Sequence, residues 1–112
     1  MLHRYPKNAR PFYTMPCKDD PNYTLSYDFF MRGEEITSGA QRVHDADMLE
    51  ANIKALGIPV GPLQDYINCF KYGAFPHGGC ALGLERIVFL YFNLGNIRNS
   101  SLFPRDPVRL TP

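Results

Sequence analysis

The sequence contains no apolar run approaching the roughly 18–20 residues that a membrane-spanning helix needs, which excludes such a helix. It carries no excess of either charge: 12 Lys and Arg stand against 11 Asp and Glu, for a formal net charge of +1. A strongly basic arm is therefore excluded, and any contact with nucleic acid has to be local. Cysteine is scarce. Cys17, Cys69 and Cys80 are odd in number and widely spaced, which fits neither a disulfide framework nor a zinc site and suits a reducing compartment. They are expected to be small core residues. The opening residues 1–6 show no apolar stretch of the secretory kind, so no signal peptide is expected. No Gly-x-x-x-x-Gly-Lys-Ser/Thr occurs, which excludes a P-loop. No Ser or Cys sits in a nucleophile elbow, which excludes that form of catalytic triad. There is no internal repeat.

What is present is a chain of 112 residues, 45% hydrophobic and 13% aromatic, sufficient for one small core. Seven of its 10 prolines lie near the two ends, which are expected to be extended or looped. Residues 10–15 read as a short aromatic strand before a turn-rich stretch at 18–22. Residues 25–32 read as a second strand, with Tyr27, Phe29 and Met31 on one face and Ser26, Asp28, Phe30 and Arg32 on the other. Gly33 interrupts, and residues 35–43 read as a third strand, antiparallel to the second because so few residues separate them. Asp47 is expected to cap a helix, with Glu50 completing a capping box, Leu49, Ile53 and Leu56 stacked, and Gly57 at the end. Pro62 suits the start of a second helix, with Leu63, Tyr66, Ile67 and Phe70 as its apolar stripe and Gly73 as its stop. After a glycine-rich stretch, Leu84, Ile87, Val88, Tyr91 and Phe92 fit a third helix. It is apolar on every side and therefore expected to be buried.

Two features go beyond a core pattern. Arg86 lies in the first turn of that third helix, where a cation is unfavourable without an anion nearby. Upstream glycines permit close backbone approach, so either a bound phosphate or a neighbouring carboxylate such as Glu85 has to answer its charge. The second feature is the ionisable load on both faces of the two strands. Asp28 and Glu35 could share one divalent cation through oxygen ligands, or could belong to a solvated face of cross-strand ion pairs. Ser38 and Arg42 share a face. His77 leads into the glycines, while His3 and His44 read as surface or hydrogen-bonding residues. The residues by themselves indicate a small anionic ligand, with nucleotide phosphate and a cation as one form of it.

The segment Met31-Arg32-Gly33-Glu34-Glu35-Ile36-Thr37-Ser38-Gly39-Ala40-Gln41-Arg42-Val43-His44-Asp45 resembles the cytosolic, eukaryotic and archaeal-type aspartyl-tRNA synthetases, which are class II aminoacyl-tRNA synthetases. Gly83-Leu84-Glu85-Arg86 resembles the third class II motif. Leu102-Phe103-Pro104-Arg105-Asp106-Pro107-Val108-Arg109-Leu110-Thr111-Pro112 resembles the family's C-terminal tail, and residues 10–15 its lead-in strand. The likeness runs from about residue 3 to residue 112.

The resemblance implies an α+β fold: part of the class II antiparallel sheet with helices packed on one face, spanning residues 1–112 as the C-terminal segment of a catalytic domain. It implies an aspartate–tRNA ligase that uses ATP and Mg²⁺, acts on L-aspartate and tRNA(Asp), works as a homodimer and resides in the cytoplasm. It makes Glu35 and Arg86 catalytic. It gives Mg²⁺ to Glu35, Asp28 and Ser38, and aspartate to Ser38 and Arg42. It gives ATP to Glu35, Gly83, Leu84, Glu85, Arg86 and His77. A planar guanidinium pairs bidentately with a carboxylate, so Arg42 suits an aspartate side chain and disfavours a neutral amide. Lysyl-type and asparaginyl-type relatives share the third motif but differ around Arg42. The family's first and second motifs have no counterpart here, so these residues alone are expected to be inactive. The alternative is a non-catalytic, synthetase-derived module that binds a nucleotide, an amino acid or a protein. Cys80 and Ala81 stand where the family usually has glycine, and Ala81 is expected to crowd the adenine. Glu35 and Ser38 have opposite strand parity, so a shared site requires a bulge between them or near Gly39.

Overall fold

The computed structural model describes residues 1–111. Pro112, the last residue of the tail segment, lies outside them. Four strands form one antiparallel sheet in chain order: β1 (Leu2–His3), β2 (Ser26–Met31), β3 (Glu34–Gln41) and β4 (Gly78–Leu82). Helices α1 (Ala46–Ala55) and α2 (Gln64–Lys71) connect β3 to β4, and α3 (Leu84–Tyr91) follows β4 directly. Short 3₁₀ turns occur at Lys7–Ala9, Gly61–Leu63 and Ile97–Ser100. The fold class is α+β, as expected.

The β2–β3 hairpin closes over Arg32 and Gly33, whose φ angles of 51° and 86° are both positive, as a two-residue hairpin loop of this hand requires. From that turn the ladder runs Met31↔Glu34 and Phe30↔Glu35, then shifts to Phe29↔Thr37 and Asp28↔Ser38. Ile36 is left without a partner, so β3 carries a one-residue bulge between Glu35 and Ser38. Gly39 is needed where it stands: a Cβ there would lie 2.6 Å from the Tyr27 ring, which crosses it.

Residues 10–15 depart from the expected strand. Thr14 makes one isolated bridge to Arg42 and Pro16 one to Thr24, while a turn closes from the Pro11 carbonyl to the Thr14 N–H. Pro11 and Pro16 fix φ and withdraw donors, so a continuous ladder cannot form. The segment is nonetheless tied to the end of β3 through Met15 N–H to Gln41 O at 2.9 Å and Val43 N–H to Tyr13 O at 2.8 Å.

The cap of α1 is Asp45, not Asp47: its carboxylate accepts the Met48 N–H at 2.7 Å from extended backbone. Asp47 sits in the first turn, where its charge suits the helix dipole. Leu49 and Ile53 are fully buried, but Leu56 falls past the helix end and is exposed. Gly57 and Gly73 stop α1 and α2 in the left-handed conformation. The core comprises Val43, Leu49, Ile53, Ile67 and Phe70, lined by Phe12, Tyr13 and Met15. It therefore sits at the Val43 end of the sheet, where α1 and α2 pack on each other.

The third helix forms where the pattern placed it, but its burial differs. Leu90 is buried, whereas Leu84, Tyr91 and Phe92 are 70%, 68% and 65% exposed. Helix α3 contacts β3 and the Ile97–Ser100 turn, and neither covers its outer face. Cys80 is exposed and Cys69 half-buried, so only Cys17 is the small core residue expected of all three. The chain is also expanded: its radius of gyration is 17.9 Å, against about 13 Å for a compact domain of this length.

Candidate functional site

The register places one polar face across three strands. Asp28, Ser38 and Ala81 lie abreast, as do Ser26, Ala40 and Gly79. Arg42 continues the alternation of Ser38 and Ala40 one step beyond β3. Two adjoining hollows open on this face and share Ser38 and Ala81. One holds Glu35, Gly83, Glu85 and Arg86; the other holds Arg10, Tyr13, Arg42 and Gly79. The bulge at Ile36 is what brings Glu35 to the Ser38 side.

Arg86 reaches back from α3 and donates from Nη1 to the Glu35 carbonyl at 2.5 Å. Beneath it the Gly83 N–H donates to the Ile36 carbonyl at 2.9 Å, so the bulge and the start of α3 are tied together. The expected carboxylate answer to Arg86 is not found: no ion pair involves Glu85 or Arg86 among the described residues. Arg42 is likewise free of carboxylates among those residues. Its guanidinium lies 5.4 Å from the Tyr13 ring centroid, and a Cβ at Gly79 would meet it at 3.2 Å. Glycine at 79 is therefore the residue that leaves Arg42 its room.

Asp28 is not a free carboxylate. Arg10 Nη2 lies 2.8 Å from its Oδ2, with the two side chains 13% and 6% exposed, and Arg10 Nη1 donates to Ser38 Oγ at 2.9 Å. The Arg10 guanidinium also stacks on Tyr5, 3.9 Å from the ring centroid. Burial pushes the Asp28 carboxyl up, but hydrogen bonds involving Arg10, Ser38 and Tyr5, with the Arg10 charge, outweigh it and hold the group below the usual carboxylate range. Burial and the Asp28 carboxylate raise the Tyr5 hydroxyl. Neither Arg10 nor Tyr5 was flagged by the sequence pattern, because Arg10 stands 28 residues before Ser38 in an irregular segment.

The donor set suits a hard cation. Asp28 Oδ1 is buried and has no hydrogen-bond partner among the described residues, Glu35 faces the neighbouring hollow, and Ser38 adds a hydroxyl. No cluster of three or more His, Cys, Asp or Glu occurs among those residues. Two carboxylates and a hydroxyl are what Mg²⁺ accepts when phosphate oxygens and water complete its shell.

His77 lies apart from Arg86. Its ring stacks on Phe70 at 5.6 Å, its Nδ1 is 3.1 Å from the Phe75 carbonyl, and its own carbonyl accepts the Arg42 N–H at 2.9 Å. It lines a separate hollow with Tyr27, Gln41 and Cys80. Leu84 and Glu85 stand exposed at the start of α3. Cys80 pairs with Gly39 and so points to the face away from Ser38, whereas Ala81 points toward it. A larger hollow on the far side of Arg10, around Phe12, Tyr23 and Asn52, is also charged, through Lys7, Arg10 and Asp20. There the buried Asn52 is structural, accepting from Lys7 Nζ at 3.2 Å and donating to the Phe12 carbonyl at 3.1 Å.

Residues 1–107 match the family described as tRNA synthetases class II (D, K and N). The chain belongs to this family. As a class II synthetase chain it is 59% identical over all 112 residues to aspartate–tRNA ligase 1, cytoplasmic, of Arabidopsis thaliana, and covers 21% of that protein. The aspartyl-tRNA synthetase of Entamoeba histolytica is 55% identical, with a TM-score of 0.94 over 99% of this chain and 23% of the other. The asparaginyl-tRNA synthetase of Pyrococcus horikoshii is 38% identical, with a TM-score of 0.93 over 98% of this chain and 27% of the other. The chain thus spans about a fifth to a quarter of the length of these class II relatives.

Proposed function

We propose that this chain is the C-terminal segment of the catalytic domain of a cytosolic aspartyl-tRNA synthetase, and that it supplies the aspartate and part of the ATP site. The observation that carries the reading is the pair of adjoining hollows, one with the carboxylate-free Arg42 beside Ser38, the other with Glu35 beside Arg86. In this reading Arg42 forms a bidentate pair with the side-chain carboxylate of L-aspartate, and Ser38 hydrogen-bonds the same substrate. A neutral amide would leave Arg42 underpaired, which favours aspartate over asparagine by several kcal/mol.

Asp28, Glu35 and Ser38 would hold Mg²⁺, which would neutralise ATP phosphate charge when bound. Gly83, Leu84, Glu85 and Arg86 would line the ATP, with Arg86 on the phosphate chain and His77 in the loop beyond Arg42. The reacting bond forms between an α-carboxylate oxygen of aspartate and the α-phosphorus of ATP. The bond to pyrophosphate breaks, and aspartyl-adenylate results. A terminal ribose hydroxyl of tRNA(Asp) then attacks the aspartyl carbonyl and AMP leaves. These residues supply position and charge, not a covalent nucleophile. The complete enzyme is proposed to be a cytoplasmic homodimer, with no membrane partner.

The test uses aspartate-dependent ATP–pyrophosphate exchange. The isolated 112-residue chain is expected to show none, because the remainder of the pocket is contributed by other segments. Exchanged for the corresponding segment of a full-length aspartate–tRNA ligase, it is expected to restore exchange. Exchange by the isolated chain would contradict the division of labour, and a soluble but inactive chimaera would favour a non-catalytic binding module.

A further inference from the structure

We propose that Arg10 is a positioning residue of the aspartate and Mg²⁺ site, acting through Ser38 and Asp28; the proposal rests on the aspartate-site reading of Ser38. Arg10 is held on three sides: by Asp28 Oδ2 at 2.8 Å, by Ser38 Oγ at 2.9 Å and by the Tyr5 ring at 3.9 Å. It lines the Arg42 hollow, yet its charge is already answered by Asp28, so it is no substrate clamp itself.

The geometry assigns it two tasks. The Ser38 oxygen accepts a hydrogen bond from Arg10 Nη1, which fixes the hydroxyl between Arg10 and the Asp28 carboxylate at the edge of the Arg42 hollow. On Asp28, Arg10 Nη2 forms an ion pair with Oδ2, without an aligned hydrogen bond, and Oδ1 is left buried with no hydrogen-bond partner among the described residues. A buried acceptor left open in this way fits a cation that is bound there in the working enzyme. One planar fork therefore selects both the position of the Ser38 hydroxyl and the Asp28 oxygen that stays available. A lysine offers a point charge and can hold Asp28 or Ser38, but not both with the same geometry.

The test is made in the active chimaera with Arg10→Lys. The aspartate KM is expected to rise about tenfold through the displaced hydroxyl, and the half-saturating Mg²⁺ concentration about tenfold as well. The turnover number and the ATP KM at saturating Mg²⁺ are expected to change little. In a Ser38→Ala background the Arg10→Lys change is expected to add nothing to the aspartate KM, because it acts through that hydroxyl. Parent-like aspartate KM and Mg²⁺ dependence in Arg10→Lys would overturn the proposal. So would loss of folding in both Arg10→Lys and Arg10→Gln, which would make the residue purely structural. If Ser38→Ala itself leaves the aspartate KM unchanged, the underlying aspartate-site reading fails, whatever Arg10 does.

Discussion

The bulge at Ile36 can be removed without touching a site residue. Inserting one alanine between Phe29 and Phe30 would give Ile36 a cross-strand partner and make the β2–β3 ladder continuous. The Arg32–Gly33 turn and the Asp28↔Ser38 pairing would keep their register. Glu35 would then stand three regular strand positions from Ser38 and face the opposite side of the sheet. Its carboxylate would leave the proposed Mg²⁺ site, and its carbonyl would turn from Arg86, which it now holds at 2.5 Å. Each of these interactions with a charged group is worth about 1.5–3 kcal/mol, so the loss is about 3–6 kcal/mol, or roughly 10²- to 10⁴-fold in kcat/KM for ATP. The assay is ATP–pyrophosphate exchange by the chimaera as a function of ATP and Mg²⁺, with Glu35→Gln as the comparison. The aspartate KM at saturating ATP is expected to stay near the parent value, because Ser38 and Arg42 do not move. An insertion variant with parent-like ATP and Mg²⁺ dependence would refute the role given to the bulge.

Two further outcomes are expected. Arg42→Lys should raise the aspartate KM by about 10- to 100-fold, the loss of one charge-assisted hydrogen bond, and leave the ATP KM nearly unchanged; equal loss of both would remove Arg42 from aspartate recognition. In the tail, Arg109 and Val108 N–H donors and the Arg98 guanidinium hold the Asp106 carboxyl below the usual carboxylate range. That clamp is expected to be intact above about pH 4, the unfolded carboxylate value, and to open as pH falls through the lowered folded value. Amide exchange at Arg109 followed on acidification reports it, and protection that persisted after Asp106→Asn would show that the carboxylate is not responsible.

Much of the site was legible because strand alternation is strict. Glu35 and Ser38 could not share a face without a bulge, and the ladder breaks between them. The hairpin was legible in Gly33, and α3 in its apolar spacing. The degree of burial was not, because periodicity shows which residues shun water but not whether these 112 residues supply a surface to cover them. Asp45 and Asp47 are both good caps by residue type, and only the backbone entering the helix decides between them. Arg10 was invisible for a different reason: its partners are distant in sequence and its own segment has no period. The ATP-side place of His77 is what the resemblance implies; its stacking on Phe70 was not legible in the sequence, because the partner lies on a separate helix.

The central claim is that Arg42, beside Ser38, selects aspartate within a class II adenylation site. The most direct measurement is ATP–pyrophosphate exchange by the chimaera with aspartate, asparagine and lysine compared in one assay. The expected result is exchange with aspartate, with asparagine weaker by at least about 100-fold in kcat/KM and lysine inert. Comparable exchange with asparagine or lysine would contradict the account.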